Sequence, residues 1–170
     1  MINIEKISDR LIAGVLAGLG ANVVKMSIEQ TAQALGLTKE TGRKKAAGFF
    51  LSPRKTNTPK GKFIGCIGDN TVAAFLGVFA SYLLTQTGKD YALLKGMVIG
   101  NFAWSTMYGI MTQLGVTKVK SNDPNTCITS MFYHTAFGIT TVYLLTKIAS
   151  PELFEPDFKV QETEKGTEQQ

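Results

Sequence analysis

Cysteine, histidine and proline are scarce in this sequence of 170 residues, which has two cysteines, one histidine and five prolines. Cys66 and Cys127 alone do not build a disulfide framework, and one histidine leaves no spacing typical of a zinc site. The sequence also lacks a nucleophile elbow, a phosphate-binding loop and a dinucleotide fingerprint. We therefore expect that the protein is not an enzyme and that it has no metal ion and no cofactor.

Charge is almost missing from three long stretches. Asp69 is the one formal charge of residues 63–87, and Lys95 is that of residues 91–115. Residues 126–149 have one lysine, near their end. About 20 mainly apolar residues suffice to cross the hydrocarbon core of a bilayer, whereas a soluble core helix is usually shorter and keeps a polar stripe. The three stretches are therefore predicted to be membrane-spanning helices.

Residues 9–37 are predicted to form a fourth helix, which begins with the apolar run LIAGVLAGLGANVV. Lys25 and Glu29 interrupt its apolar pattern, so this helix either spans the membrane or is partly embedded in it. The fold class that follows is an all-α integral membrane bundle of about four helices within residues 1–150, placed in the cell membrane as a multi-pass protein. Residues 151–170 are polar and acidic, and are predicted to be a disordered tail.

Acidic residues are scarce between residues 38 and 62, which contain eight lysines and arginines but only one acidic residue, Glu40. Basic loops remain in the cytoplasm, so this loop and residues 116–125 are predicted to be cytoplasmic and the acidic tail to face outward. The side of the N-terminus depends on whether residues 9–37 span. The basic loop also favours contact with anionic lipid or docking of a protein partner. Nucleic acid is not an expected partner, because few stacking aromatics interleave with the basic residues.

Four ionisable side chains are predicted to lie at a similar depth and to form an intramembrane polar layer, namely Lys25, Glu29, Asp69 and His134. In one alternative the layer is structural. Lys25 and Glu29 then pair four residues apart, Asp69 caps a helix that starts late, and the histidine bonds a neighbouring helix. In the other alternative the layer is a proton or ion pathway. We expect Asp69 to face the bundle interior close to Lys25 or His134, and Asn70 to bond the backbone of another helix.

Small residues recur at four-residue spacing on three of the predicted helices. Such faces let helix backbones approach closely in a membrane, where no hydrophobic effect drives helices together. The predicted packing residues are Gly14, Gly18, Gly77, Gly96 and Gly100. Asn22 and Asn101 are expected to form hydrogen bonds across these contacts.

Three segments carry a family resemblance: RLIAGVLAGLGANVVKM, TPKGKFIGCIGDNTVAAFLGV and LLTQTGKDYALLKGMVIG. They resemble a family of small, uncharacterised polytopic membrane proteins of clostridia-type bacteria. The resemblance implies a small helical membrane protein, and it supplies no active-site residues.

Three functions remain open on the sequence alone. The first is a structural or accessory membrane subunit that packs through its small-residue faces, with a second copy of the chain or another membrane protein as partner. The second is a small transporter or channel that uses the polar layer. The third is a soluble helical protein. Detergent dependence on extraction separates the third from the others, and ion flux separates the second from the first.

Overall fold

The computed structural model describes residues 6–120 and 123–154, and these residues are mainly helical. A π-helical segment, Ser105–Ile110, lies within the third long helical run, and a 3-10 turn, Pro151–Phe154, ends the described chain. The described residues contain no β-strand, so the predicted all-α fold class is confirmed. The α-helices are α1 (Arg10–Ala34), α2 (Gly42–Ala47), α3 (Pro59–Thr87), α4 (Ala92–Trp104), α5 (Met111–Gln113) and α6 (Pro124–Ile148).

The long helices α1, α3 and α6 begin where a side chain accepts one of the first free backbone N–H groups. Asp9 caps α1, with Oδ1 accepting a backbone N–H over 2.7 Å. Thr58 and Asp123 cap α3 and α6, and each is followed by a proline, whose fixed φ suits the first helical position. Because α3 starts at Pro59, Asp69 lies well inside it. The alternative in which Asp69 caps a late-starting helix is therefore wrong.

The packing order of the helices differs from their order in the chain. α1 packs against α3 and α6, and α4 packs against α6, whereas the consecutive helices α3 and α4 touch little. All of these neighbours are antiparallel. The structure is therefore a four-helix bundle in which α3 and α4 diverge from each other along most of their length.

Glycine residues allow close approach of the backbones in the two main interfaces, α1–α3 and α4–α6. A Cβ on Gly18 would lie 3.1 Å from the Gly77 Cα, and a Cβ on Gly96 would lie 2.6 Å from the Gly138 oxygen. Gly138 is missing from the spacing pattern because it has no small partner four residues away on the same face of α6. All five predicted packing glycines lie in the α1–α3 or α4–α6 interface: Gly14, Gly18, Gly77, Gly96 and Gly100.

Two of the described helices, α1 and α3, are long and apolar enough to cross a membrane. The first of these is the helix that was predicted either to span the membrane or to be only partly embedded, because Lys25 and Glu29 interrupt its apolar pattern. The run over 91–115 is not one uninterrupted α-helix, because α4 has 13 residues before the helix widens into π turns at Ser105–Ile110. α6 has 25 residues but is rich in serine and threonine. A helical bundle is confirmed, and four membrane spans stay a prediction.

The basic segment 38–62 was predicted to be a loop, but part of it is helical. Its middle forms α2, which docks against α3, and Lys45 is fully buried. The loop after α5 packs on the same segment, since the Lys118 N–H donates to the Gly48 carbonyl over 3.0 Å. The two basic loops therefore lie at the same end of the bundle.

The opposite end of the bundle holds the two ends of the described chain. Ile7 and Ala149 form an isolated parallel bridge, and the side chain of Phe154 is buried. The predicted disordered tail, 151–170, thus begins with four residues of ordered 3-10 turn, and for these the prediction is wrong. The rest of that tail, 155–170, lies outside the described residues.

Candidate functional site

A buried ion pair joins α1 to α3. The Lys25 ammonium lies 2.6 Å from Oδ1 of Asp69, and the two residues are 5% and 7% exposed. The Asn22 amide donates to Oδ2 of the same carboxylate over 3.1 Å. The two side chains can meet because the glycine contacts earlier in α1, at Gly14 and Gly18, bring the two backbones together. Burial removes both charges from water, so each depends on the other. The expected position of Asp69, facing the interior beside Lys25, is confirmed.

Asparagines extend the polar contacts on both sides of the bundle. The Asn70 oxygen accepts from Asn22 over 3.2 Å, while its nitrogen donates to the Cys66 carbonyl of its own helix over 2.8 Å. The expected bond from Asn70 to the backbone of another helix is therefore wrong. Asn101 donates to the Thr135 hydroxyl over 3.1 Å, which is the predicted bond across the α4–α6 contact.

Glu29 lies one turn beyond Lys25 on α1, and the two do not form the predicted ion pair because Lys25 bonds Asp69. The Glu29 side chain is fully buried, and Oε1 accepts the backbone N–H of Gly42 in α2. Within the described residues, Oε2 has no hydrogen-bond partner. A Cβ on Gly42 would lie 3.2 Å from the Asp69 carboxylate and 3.5 Å from the Lys25 ammonium. A side chain at position 42 would therefore crowd the layer that α2 covers.

His134 brings α6 into the same layer. Its Nδ1 lies 2.8 Å from the Ser130 carbonyl oxygen. A carbonyl oxygen can only accept, so Nδ1 carries the proton of the neutral ring and Nε2 keeps a lone pair. The ring packs against the rings of Tyr133 and Tyr108 at centroid distances of 4.9 and 5.6 Å. The bond at Nδ1 lies within α6, so the alternative of a bond from this nitrogen to a neighbouring helix is wrong.

A cavity of about 30 Å³ lies in the space where α3 and α4 diverge. Lys25, Asp69 and His134 line it together with apolar side chains of α3, α4 and α6. A cavity of this size accommodates a water molecule, and the three polar groups are the partners that a buried water needs. The structure thus gathers the four residues of the predicted layer, three of them on this cavity and Glu29 beside it.

A second buried cation, Lys45, completes this end of the bundle. Its ammonium lies 3.3 Å from the Thr112 hydroxyl and 3.4 Å from the Val119 carbonyl oxygen, and 4.2 Å from the centre of the Tyr108 ring. Burial lowers the pKa of Lys45 below its ordinary value, because the charged form loses its hydration. Sequence reasoning missed this residue, since nothing in a run of basic residues shows which one α2 turns inward.

The layer has two chemical capabilities. It can fix α1, α2 and α3 relative to one another, because its ion pair and the Glu29 bond connect these three helices. It can also hold or pass on a proton, because it combines a carboxylate oxygen without a partner, an imidazole lone pair and a water-sized cavity. Among the described residues, no three His, Cys, Asp or Glu side chains are grouped as metal ligands would be.

Comparison with known proteins adds no assignment to these residues. The resemblance to clostridial membrane proteins stays a prediction, and the function has to be argued from the residues of this chain. No family model, no curated protein and no solved structure matches it.

Proposed function

We propose that the protein is an integral membrane protein whose four long helical segments cross the bilayer, and that it acts as a structural or accessory membrane subunit. The observation that supports this proposal is an inverted distribution of polarity. Many polar and small residues lie in the interior of the bundle beside an apolar core cluster, while large apolar residues are exposed on the outside of each long helix.

The interior contains many polar side chains, including Asn22, Lys25, Glu29, Asp69, Ser81, Thr85, Thr126, Ser130, His134 and Thr141. The outside carries Leu11, Ile12, Leu16, Val23, Phe63, Ile67, Phe75, Phe79, Leu93, Leu94, Val98, Phe102, Ile128 and Phe132. A water-soluble protein would bury most of the second set and expose most of the first. In a bilayer the outer residues contact lipid, and small residues let the helices approach.

The same pattern supports spans for α4 and α6, the two runs whose length or composition alone is not typical of a span. The outer surface of α4 carries a leucine pair, a methionine, a valine and a phenylalanine that are all exposed. Contiguous apolar surfaces of this kind are rare on soluble monomers. Lipid contact accounts for them on all four segments at once.

The charge distribution supports one orientation. Both basic loops lie at the same end of the bundle, and basic loops are retained in the cytoplasm. If all four segments span, both ends of the described chain, at Ile7 and at Phe154, face the other side of the membrane.

Alkaline carbonate extraction of cell membranes tests the integral character. The protein should remain in the membrane pellet and should be released only by detergent. Release by carbonate without detergent would contradict the proposal, because lipid contact on four helices resists that treatment.

Cysteine labelling tests the orientation. In a background in which Cys66 and Cys127 are replaced by Ser, a membrane-impermeant maleimide added to intact cells should label Glu152→Cys and not Asn57→Cys. Labelling of position 57 alone would show that the protein has the opposite orientation. Labelling of both positions after permeabilisation is the control for reactivity.

A proton transporter is the second candidate, and the unpartnered Oε2 of buried Glu29 favours it. Purified protein in liposomes that contain a pH-sensitive dye would then dissipate an imposed pH gradient faster than empty liposomes, and Glu29→Gln would abolish the difference. A leak rate equal to that of empty liposomes would reject transport of protons and leave the accessory role.

A further inference from the structure

We propose that the basic end of the bundle carries a binding pocket for a phosphate group. A pocket of about 460 Å³ opens between the second half of α1, α2 and the start of α3, which is within the range of small-molecule sites. Every side chain that lines it is polar. The residues that matter for the argument are Gln30, Gln33, Arg43, Lys44 and Lys62.

The charge of the pocket is strongly unbalanced. Three cations line it, and the described lining includes no acidic residue. Lys44 already forms an ion pair with Glu40, whose carboxylate lies 2.9 Å from its ammonium. Among the described residues, the side chains of Arg43 and Lys62 form neither an ion pair nor a hydrogen bond. Arg43 is also half-buried, so its side chain is partly enclosed where it lines the pocket.

A phosphate group matches these donors better than a carboxylate or a cation does. The guanidinium of Arg43 offers a planar fork of N–H groups that binds two phosphate oxygens at once. Lys62 adds a point charge, and the amides of Gln30 and Gln33 add neutral donors. One N–H of Gln30 already donates to the Met26 carbonyl over 3.2 Å, which leaves its second N–H for the ligand. A single carboxylate has two oxygens and one charge, so it would leave part of this set unused. A cation would be repelled by the three positive side chains.

Two kinds of molecule present this group at a membrane surface: an anionic lipid and a soluble phosphate ester. Binding of the lipid rests on the proposed membrane function, because it requires this end of the bundle to lie at the bilayer surface. Binding of a soluble phosphate ester does not. Failure of lipid binding in the test below can therefore be distinguished from failure of phosphate binding.

The experiment measures two probes on the purified full-length protein. Titration calorimetry in detergent measures binding of inorganic pyrophosphate. Mass spectrometry of delipidated protein measures its preference for phosphatidylglycerol over phosphatidylcholine. Arg43→Gln and Lys62→Gln should each weaken binding of the responding probe about tenfold, as expected for the loss of a charged hydrogen bond. Lys60→Gln, two residues away on α3 and outside the pocket, should leave it unchanged.

The outcomes separate the sources and can overturn the site. Pyrophosphate binding without a lipid preference assigns a soluble phosphate ester, and a phosphatidylglycerol preference that pyrophosphate competes away assigns the lipid headgroup. If Lys60→Gln and Arg43→Gln lose the same amount of binding affinity, the probe is attracted by the basic surface in general, and the proposed pocket is overturned. Absence of binding of both probes by the wild type would also overturn it. Unchanged thermal unfolding of each variant shows that the fold is retained.

Discussion

Replacing Asp69 with Asn removes the charge partner of Lys25 while the size of the side chain stays nearly the same. The Lys25 ammonium then remains in the interior, 5% exposed, without its bonded carboxylate. Loss of one member of a buried ion pair costs about 3–5 kcal/mol. Glu29, one turn away, and the water-sized cavity offset part of this loss. We therefore expect Asp69→Asn to lower the free energy of unfolding by about 3 kcal/mol.

Equilibrium unfolding in detergent micelles measures this difference. Trp104 is the single tryptophan, and its Nε1 donates to the Ser130 hydroxyl over 2.9 Å between α4 and α6, so its fluorescence reports on the intact bundle. Asp123→Asn is the matched control. Asp123 caps α6, and Asn caps a helix as well as Asp does. Asp123 also pairs with Lys39 over 3.3 Å, but the lysine is exposed, so the variant should lose much less stability than Asp69→Asn.

A double variant separates charge from shape. Lys25→Met combined with Asp69→Asn leaves no unpaired charge in the interior, so it should recover much of the stability lost in the single variant. An Asp69→Asn protein as stable as the wild type would refute the reasoning. A double variant less stable than Asp69→Asn would refute it as well, because the loss would then be one of packing.

Gly100→Leu should destabilise the bundle by about 1–3 kcal/mol or more in thermal unfolding, because added volume in a tight contact forces the helices apart and a Cβ there would lie 2.9 Å from the His134 carbonyl carbon. Gly109→Leu, where a Cβ meets open space, is its control, and equal losses in the two would contradict the packed face. Lys45→Met should flatten the rise of stability at alkaline pH. Burial lowers the folded-state pKa of Lys45 below 10.5, so the unfolded chain binds more protons between the two values and stability increases with pH there. An unchanged slope in the variant, measured by unfolding at several pH values, would contradict this.

The positions of the long helices were predictable because their signals are local. An apolar run of sufficient length predicts a helix wherever it lies, and α1, α3 and α6 differ from their predicted bounds only at the ends. The start of α3 shows the source of the error. The predicted start at residue 63 coincides with the end of the basic loop, whereas α3 begins earlier, at Pro59. A proline that follows a capping threonine favours the first turn of a helix.

The members of the polar layer were also predictable, but their pairing was not. A charge inside an apolar run is costly unless it finds a partner, so charged residues at similar depth are expected to gather. Which of them meet depends on the distance between helices. Lys25 reaches Asp69 because the contact of Gly18 with Gly77 holds α1 close to α3. The distance between two helices cannot be predicted from the spacing of residues within one of them.

α2 and the π-helical segment could not be derived from the sequence. A helix of six residues is too short to be stable alone, so α2 exists through its docking on α3 and through the bonds of Gly42 and Lys45. Residues 105–110, STMYGI, are mostly weak helix formers, but weak propensity does not specify a π-helical turn. Their widened turns accompany the contacts of Tyr108 with α2 and α6. Both features depend on neighbours that lie far away in the sequence.

The packing order of the helices sets the order in which the chain can assemble during synthesis. α1 and α3 can pair early, because both precede α4. α4 must wait, because its glycine face and the amide of Asn101 find their partners on α6, which follows it in the chain. A chain that stops after α5 would leave that glycine face and that amide without their partners. Synthesis through α6 is thereby a condition for a closed bundle.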